Sequence, residues 1–367
     1  MNILIDAFGG DDAPLEVIKG GALAVQQLGV TVTLVGDEEK IRSCAAENGL
    51  SLDGMKILHA PAVFDIHEEP TTLLKQHRDT SMAVGMQALH DGMGDAFVCA
   101  GSTGALLVGS TFLVKRIPGI KRAAVAPVLP TETTPFLLID GGANNDCRPE
   151  MLVQFAIMGS AYMEKVMHVQ NPRVALLNVG AEETKGRELE LESYVQLSQA
   201  PVHFIGNIEA RELPKGAADV VVTDGFTGNV ALKLYEGMGK FMAHQMKGNL
   251  FAGFAGKLAA LLILPKIKAL TKKMDYKAVG GAVMLGVQKP VIKAHGSSDA
   301  QAFFNAIRQA RDCAAGNVVQ AITETVSAGK ASVSSVSCAS GFTSVSANSL
   351  NKERAISCFL SKVKSMI

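Results

Sequence analysis

Between Ile3 and Asp224, short apolar runs alternate with segments of helical period, and that alternation leaves the chain few architectures. The runs are Ile3–Asp6, Val30–Val35, Lys56–His59, Ala96–Cys99, Ala123–Val128, Phe136–Asp140, Arg173–Val179, Val202–Ile205 and Val220–Asp224. Helical periods include Leu15–Leu28, Met82–Asp91, Glu150–Val166 and Glu188–Ser198. Runs this apolar are buried on both faces, so they pair in parallel beneath helices. The expectation is an α/β fold with three α/β/α layers and a largely parallel sheet. In such sheets ligands gather beyond the carboxyl ends of the strands. Functional residues should therefore follow the apolar runs.

The run Ala96–Cys99 ends in Gly101-Ser102-Thr103-Gly104, and a helix begins near Ala105. A strand that stops on glycines and hydroxyls before a helix turns main-chain N–H groups towards one point, which suits an anion such as phosphate. A plain strand-to-helix turn would also use glycine there. The device recurs in Asp140-Gly-Gly-Ala-Asn144 and in Asp224-Gly-Phe-Thr-Gly-Asn229, which precedes a helix over Val230–Glu236. Three such loops are expected to converge at one sheet edge as a pocket. The acidic turn Asp6–Pro14 lacks G-x-G-x-x-G spacing, and no Walker A sequence occurs.

With Lys+Arg at 35 and Asp+Glu at 35, the chain carries no formal net charge, which argues against a dedicated nucleic-acid binder. A hydrophobic content of 48% supplies a core for one large α/β domain or two smaller ones. Cys44, Cys99, Cys147, Cys313, Cys338 and Cys358 form no C-x-x-C pair and have no histidine at zinc spacing. Scattered single cysteines suit a reducing cytosol. The N-terminus reads as a first strand and lacks the pattern of a signal peptide.

Further residues carry charge near the expected pocket. Lys185 follows the run Arg173–Val179 and reads either as an anion ligand or as a solvated surface lysine. His295, in His295-Gly-Ser-Ser298, is either a structural hydrogen-bonding group or a catalyst. Lys115, Arg116, Lys121 and Arg122 end the helix after the central loop. Cations favour helix C-termini, and the same group would receive an acidic protein. Residues 237–274 contain no Asp or Glu and read as two amphipathic helices meeting at Pro265, with Phe254, Leu258, Leu261 and Leu264 on a greasy tip. Lysines interleaved with such residues suit an anionic membrane surface, the alternatives being a dimer interface or core packing. Residues 327–367 read as a Ser-rich, flexible tail, with one apolar face over Ile356, Phe359, Leu360 and Val363.

Ala100-Gly-Ser-Thr-Gly-Ala-Leu-Leu107, Asp140–Asn144, Asn178-Val-Gly-Ala-Glu-Glu183, Asp224–Asn229 and Val291-Ile-Lys-Ala-His-Gly-Ser-Ser298 together resemble the bacterial phosphate acyltransferases of phospholipid synthesis. The likeness covers residues 1 to about 326. Ser102 stands where that family usually has Asn, and Gly141 where it usually has Val. The resemblance implies transfer of a fatty acyl group from acyl-acyl-carrier protein to inorganic phosphate, without a metal or organic cofactor. It also implies a fold of the isocitrate dehydrogenase and phosphate acetyltransferase group, a homodimer, and a cytoplasmic enzyme at the inner face of the cell membrane. There the glycerol-phosphate acyltransferase that uses acyl phosphate would be a partner. On this reading Lys185, Asn229 and His295 are catalytic candidates. Gly101, Ser102, Thr103, Gly104, Asp140, Asn144, Asp224 and Ser297 would hold phosphate and substrate, and Gly104→Val would crowd the anion. Lys115, Arg116, Lys121 and Arg122 would dock the carrier. A phosphate acetyltransferase-like enzyme using acyl-coenzyme A, or a non-catalytic membrane scaffold, are the competing readings.

Overall fold

The computed structural model describes residues 1–245 and 280–339. The chain opens with β1 (Asn2–Asp6), α1 (Leu15–Leu28), β2 (Thr31–Gly36), α2 (Glu38–Glu47) and β3 (Met55–His59). Next come α3 (Ser81–His90), β4 (Ala96–Cys99), α4 (Thr103–Gly109) with a π-helical turn over Ser110–Lys115, and β5 (Ala124–Ala126). The second half contributes β6 (Val128–Leu129), β7 (Phe136–Ile139), α5 (Pro149–Lys165), β8 (Arg173–Asn178), α6 (Glu188–Leu197), β9 (His203–Glu209), β10 (Val220–Val222) and α7 (Gly225–Gln245). Last are β11 (Ala282–Leu285), β12 (Val291–Lys293), α8 (Ala300–Ala315) and α9 (Val318–Ala339).

Two sheets form where one was expected. The first is ordered β3-β2-β1-β4-β12-β11-β5 and the second β6-β7-β10-β8-β9. Most pairings are parallel, while β11, β5 and β6 pair antiparallel. Pro127 explains the division. The apolar run Ala123–Val128 was expected as one strand, but proline has no N–H for a ladder. The run breaks there, and β5 joins one sheet while β6 joins the other.

Helices cover both faces, as strands buried on both sides require. Along β1, Ile3 and Ile5 pack with α1 and α8, whereas Leu4 points into the cluster under α3 and α4. In the second sheet Leu137 and Ile139 face α5, while Phe136 and Leu138 face Leu232 of α7. Thr80 caps α3 by accepting from the Ala83 N–H, and Asp299 caps α8 by accepting from Ala302.

The chain divides into two units, Met1–Val326 and Ser327–Ile367. Helix α9 runs through Val326, so Ser327–Ala339 is helical where a flexible linker was expected. Serines separated by alanines and valines are compatible with that helix. The rest of the tail, with its amphipathic face, lies outside the described residues. So do Phe254, Leu258, Leu261 and Leu264 and most of the segment 237–274, of which only the N-terminal part belongs to α7.

Candidate active site

Three neighbouring parallel strands, β1, β4 and β12, end side by side. Ile5 is level with Val98, and Lys293 is level with Cys99. Asp6, Cys99 and Lys293 thus follow one another across the edge of the first sheet, each on the α3/α4 face by the alternation of strands. The Cys99 thiol donates to Asp6 Oδ2 at 3.1 Å, and the Gly101 N–H donates to Cys99 Sγ at 3.2 Å. Burial pushes the Asp6 carboxyl above its ordinary range, against the pull of the hydrogen bonds it accepts. Burial likewise pushes the Cys99 thiol well up, so it is a poor nucleophile. The Lys293 ammonium donates to the Ala100 carbonyl at 3.1 Å and to the Ala294 carbonyl. Desolvation depresses it below an ordinary lysine, although Cys99 and Asp11 oppose the shift.

The loops beyond these strands interlock. A Cβ on Gly9 would meet the Gly101 nitrogen at 2.9 Å, so the two loops touch through backbone. The Asp11 N–H donates to the Gly296 carbonyl at 2.8 Å and ties the first loop to the third. Ser102 caps α4 by accepting from Ala105, which leaves Thr103 and Gly104 to open the helix with no carbonyl behind their N–H groups. Gly104 itself is required by packing: a Cβ there would meet Pro70 at 2.7 Å. Crowding by Gly104→Val would therefore fall first on Pro70 rather than on a bound anion.

The other two expected loops belong to the second sheet, so the three do not share one edge. Asp140 is fully buried, and its carboxylate accepts from the N–H groups of Val125, Gly142, Ala143 and Asn144 and from the Asn144 amide. It staples its own loop to β5, while Asn144 also donates to the Ala123 carbonyl at 2.8 Å. Asp224 is buried too, accepting from Thr227 and from Arg187 at 2.6 Å. Arg187, which also pairs with Glu190, joins the loop after β8 to the start of α7. Asn229 is exposed on α7, against Gly142.

Helix α7 brings the two groups of loops together. Lys233, Glu236 and Lys240 follow Asn229 on one helical face, and their charges act on His295. Lys233 also acts on Lys293. The exposed His295 accepts the Ser297 N–H at Nδ1, which leaves Nε2 as the proton-bearing nitrogen of the neutral ring. Its Nδ1 also lies 2.9 Å from Ser297 Oγ. Desolvation and then the Lys293 charge keep that ring below its ordinary value, so it is neutral at physiological pH. Lys185 is exposed in a loop folded on itself, where Asn178 donates to the Lys185 carbonyl. Among the basic residues considered for docking, Lys121 pairs with Glu150 at 2.6 Å and Arg116 donates to the carbonyls of Ile120 and Lys121. Lys115 and Arg122 are exposed beside them.

Residues 1–321 match the profile of the family described as "Fatty acid synthesis protein". A "Phosphate acyltransferase" from Bacillus licheniformis is 46% identical over 328 residues, covering 89% of this chain and 98% of the relative. The protein belongs to the phosphate acyltransferase family. A second relative with that name, from Bacillus cereus, is 46% identical over 325 residues, covering 88% and 97%. Among solved structures, the EutD phosphotransacetylase of Staphylococcus aureus aligns with a TM-score of 0.57 at 18% identity, covering 85% of this chain and 94% of that one. A phosphotransacetylase from Streptococcus pyogenes aligns at 0.58 and 15%, covering 86% and 94%. At such identities the likeness is one of fold, and it agrees with the α/β/α group expected from the sequence.

Asp6, Asp11, Lys233, Glu236 and Lys293 were not singled out in the sequence. A signal existed for Lys293, a lone cation closing the apolar run Val291–Lys293 of a parallel strand. The other four needed the third dimension, because only strand order puts β1 beside β4 and only the path of α7 points Lys233 at His295.

Proposed function

We propose that this protein transfers a fatty acyl group from the thioester of acyl-acyl-carrier protein to inorganic phosphate, giving acyl phosphate for phospholipid synthesis. The interlocked loops beyond β1, β4 and β12 support the reading, since the Lys293 ammonium lies at their base and α4 opens beside it with the N–H groups of Thr103 and Gly104. A phosphate oxygen attacks the thioester carbonyl carbon, and the carbonyl π electrons move to oxygen. When the tetrahedral intermediate collapses, the new C–O bond stays and the C–S bond breaks. The thiolate leaves and takes up a proton from solvent or from phosphate. A thiol is a good leaving group, so a strong general acid is dispensable, and phosphate needs no activation beyond alignment. His295 Nε2–H and the Asn229 amide are donors suited to the developing oxyanion. Asp140, Asn144 and Asp224 act at one remove by fixing the loops that carry Gly142 and Asn229. Lys185 and Ser297 are proposed to approach the phosphate from the rim.

The acidic carrier would dock beside Lys115, Arg116, Lys121 and Arg122. A second copy of the chain is the partner best suited to the exposed stripe Phe226, Val230, Leu234, Met238 and Phe241 along α7. No described helix is long and apolar enough to cross a membrane. Attachment to the inner face of the cell membrane, next to the acyltransferase that consumes acyl phosphate, rests on the basic, apolar composition of residues 237–274.

Release of free thiol, followed with and without phosphate, tests the reading. Phosphate-dependent release from acyl-acyl-carrier protein is expected, with acyl-coenzyme A a much poorer donor. Preference for acyl-coenzyme A would transfer the protein to the acetyltransferase-like class. No thiol release from either donor would leave the scaffold.

A further inference from the structure

Among the described residues, Lys293 is the one lysine whose ammonium is set into the base of the interlocked loops. It is half-buried, and its Nζ is held by two main-chain carbonyls, Ala100 at 3.1 Å and Ala294. Among the described residues no carboxylate lies within ion-pair distance of it. A half-buried cation without a paired carboxylate is expensive unless an anion completes it. Ala100 and Ala294 follow β4 and β12 directly, so the two carbonyls hold the ammonium at the root of the loops that carry Gly101 and Gly296. Carbonyls alone cannot neutralise the charge, but they fix its position, as a cation meant for an exchanging ligand requires.

Resting on the proposed reaction, we infer that Lys293 is the fixed cation of the phosphate subsite, donating to an oxygen of the phosphate that attacks the thioester. Cys99 and Asp6 then have a purpose as its floor. The protonated thiol occupies Asp6 Oδ2 and keeps that carboxyl from drawing the ammonium down into a closed ion pair. The groups facing Lys293 are Asp6 and Cys99 on β1 and β4, Asp11 in the first loop, Lys233 on α7, and His295. Asp11 and Lys233 bear opposite charges, so the phosphate meets Lys293 with little net field from its other neighbours.

The full-length protein and two variants, Lys293→Gln and Lys293→Met, decide the matter. Phosphate binding is read directly from ³¹P line broadening, and the Michaelis constants for phosphate and for acyl carrier are read separately. Losing a charged hydrogen bond predicts phosphate binding weaker by about tenfold or more, with the carrier constant within about twofold. A structural staple would move both constants or neither. A folded Lys293→Gln protein that binds phosphate like the wild type overturns the inference. Where neither variant folds, the wild type is titrated above about pH 8, where phosphate stays a dianion. Binding should then fall away as pH rises through the depressed lysine value, and constant affinity up to the ordinary lysine range overturns the inference. If the wild type binds phosphate but makes no acyl phosphate, the proposed reaction fails while the assignment of Lys293 stands.

Discussion

Asp6 and Cys99 meet across neighbouring strands, thiol to carboxylate at 3.1 Å, and both are sealed from water. The pair is a consequence of register, since Ile5 lies level with Val98 and the next residues share a face. Because burial raises the Asp6 carboxyl above its ordinary value near 3.8, the folded state retains a proton that the unfolded state has lost. That contribution is full below the ordinary value and is lost as pH rises through the folded one. Asp6→Asn removes the titration. The melting temperature of the variant relative to wild type should therefore climb as pH rises from about 4 through the raised folded value, then level off. Parallel pH profiles in calorimetry would contradict this placement of Asp6.

Two glycines of α7 should respond in opposite senses. A Cβ on Gly228 would lie 1.9 Å from the Asp140 carbonyl oxygen, while one on Gly237 would meet nothing within 4 Å. Gly228→Ala is expected to lose about 1–3 kcal/mol or more through overpacking. Gly237→Ala should add about 0.5–1 kcal/mol by restricting the unfolded chain. Denaturant midpoints check both.

The Arg187–Asp224 contact joins the loop after β8 to the first turn of α7. Its arginine side chain is 61% exposed, so solvent screens the pair. Arg187→Met should cost about 1–2 kcal/mol, less than a fully buried pair would. It should also lower turnover more than it changes either Michaelis constant, because it loosens the helix that carries Asn229. Unaltered turnover in a destabilised variant would confine Arg187 to a structural role.

Lys121 spends part of its charge on Glu150. If the patch receives an acidic carrier, Glu150→Gln should lower the carrier Michaelis constant and steepen its salt dependence, while Lys121→Glu with Arg122→Glu does the reverse. Equal salt profiles for all three proteins would remove the patch from the docking surface.

Much of the fold was legible because buried parallel strands are written as apolar runs. Leu15–Leu28 and Ala96–Cys99 match their elements to the residue. The boundary between sheets was not legible, since it depends on one proline inside Ala123–Val128 and on pairings between distant strands. Strands β11 and β12 were passed over because they are short, at four and three residues, and Gly286 and Pro290 lie between them. In the site, glycine and hydroxyl loops announced themselves, but their direction did not. Asp140 and Asp224 look like ligands in a sequence, and both turn inward to hold their own loops. A carboxylate beside glycine serves as readily to cap a turn as to meet substrate.

Trapping with hydroxylamine tests the central claim most directly. Purified protein is incubated with acyl-acyl-carrier protein, with or without inorganic phosphate, and acyl hydroxamate is measured against thiol released. Attack by phosphate predicts hydroxamate equal to released thiol, formed only when phosphate is present. Thiol release accompanied by free fatty acid, with no phosphate-dependent hydroxamate, would contradict the account.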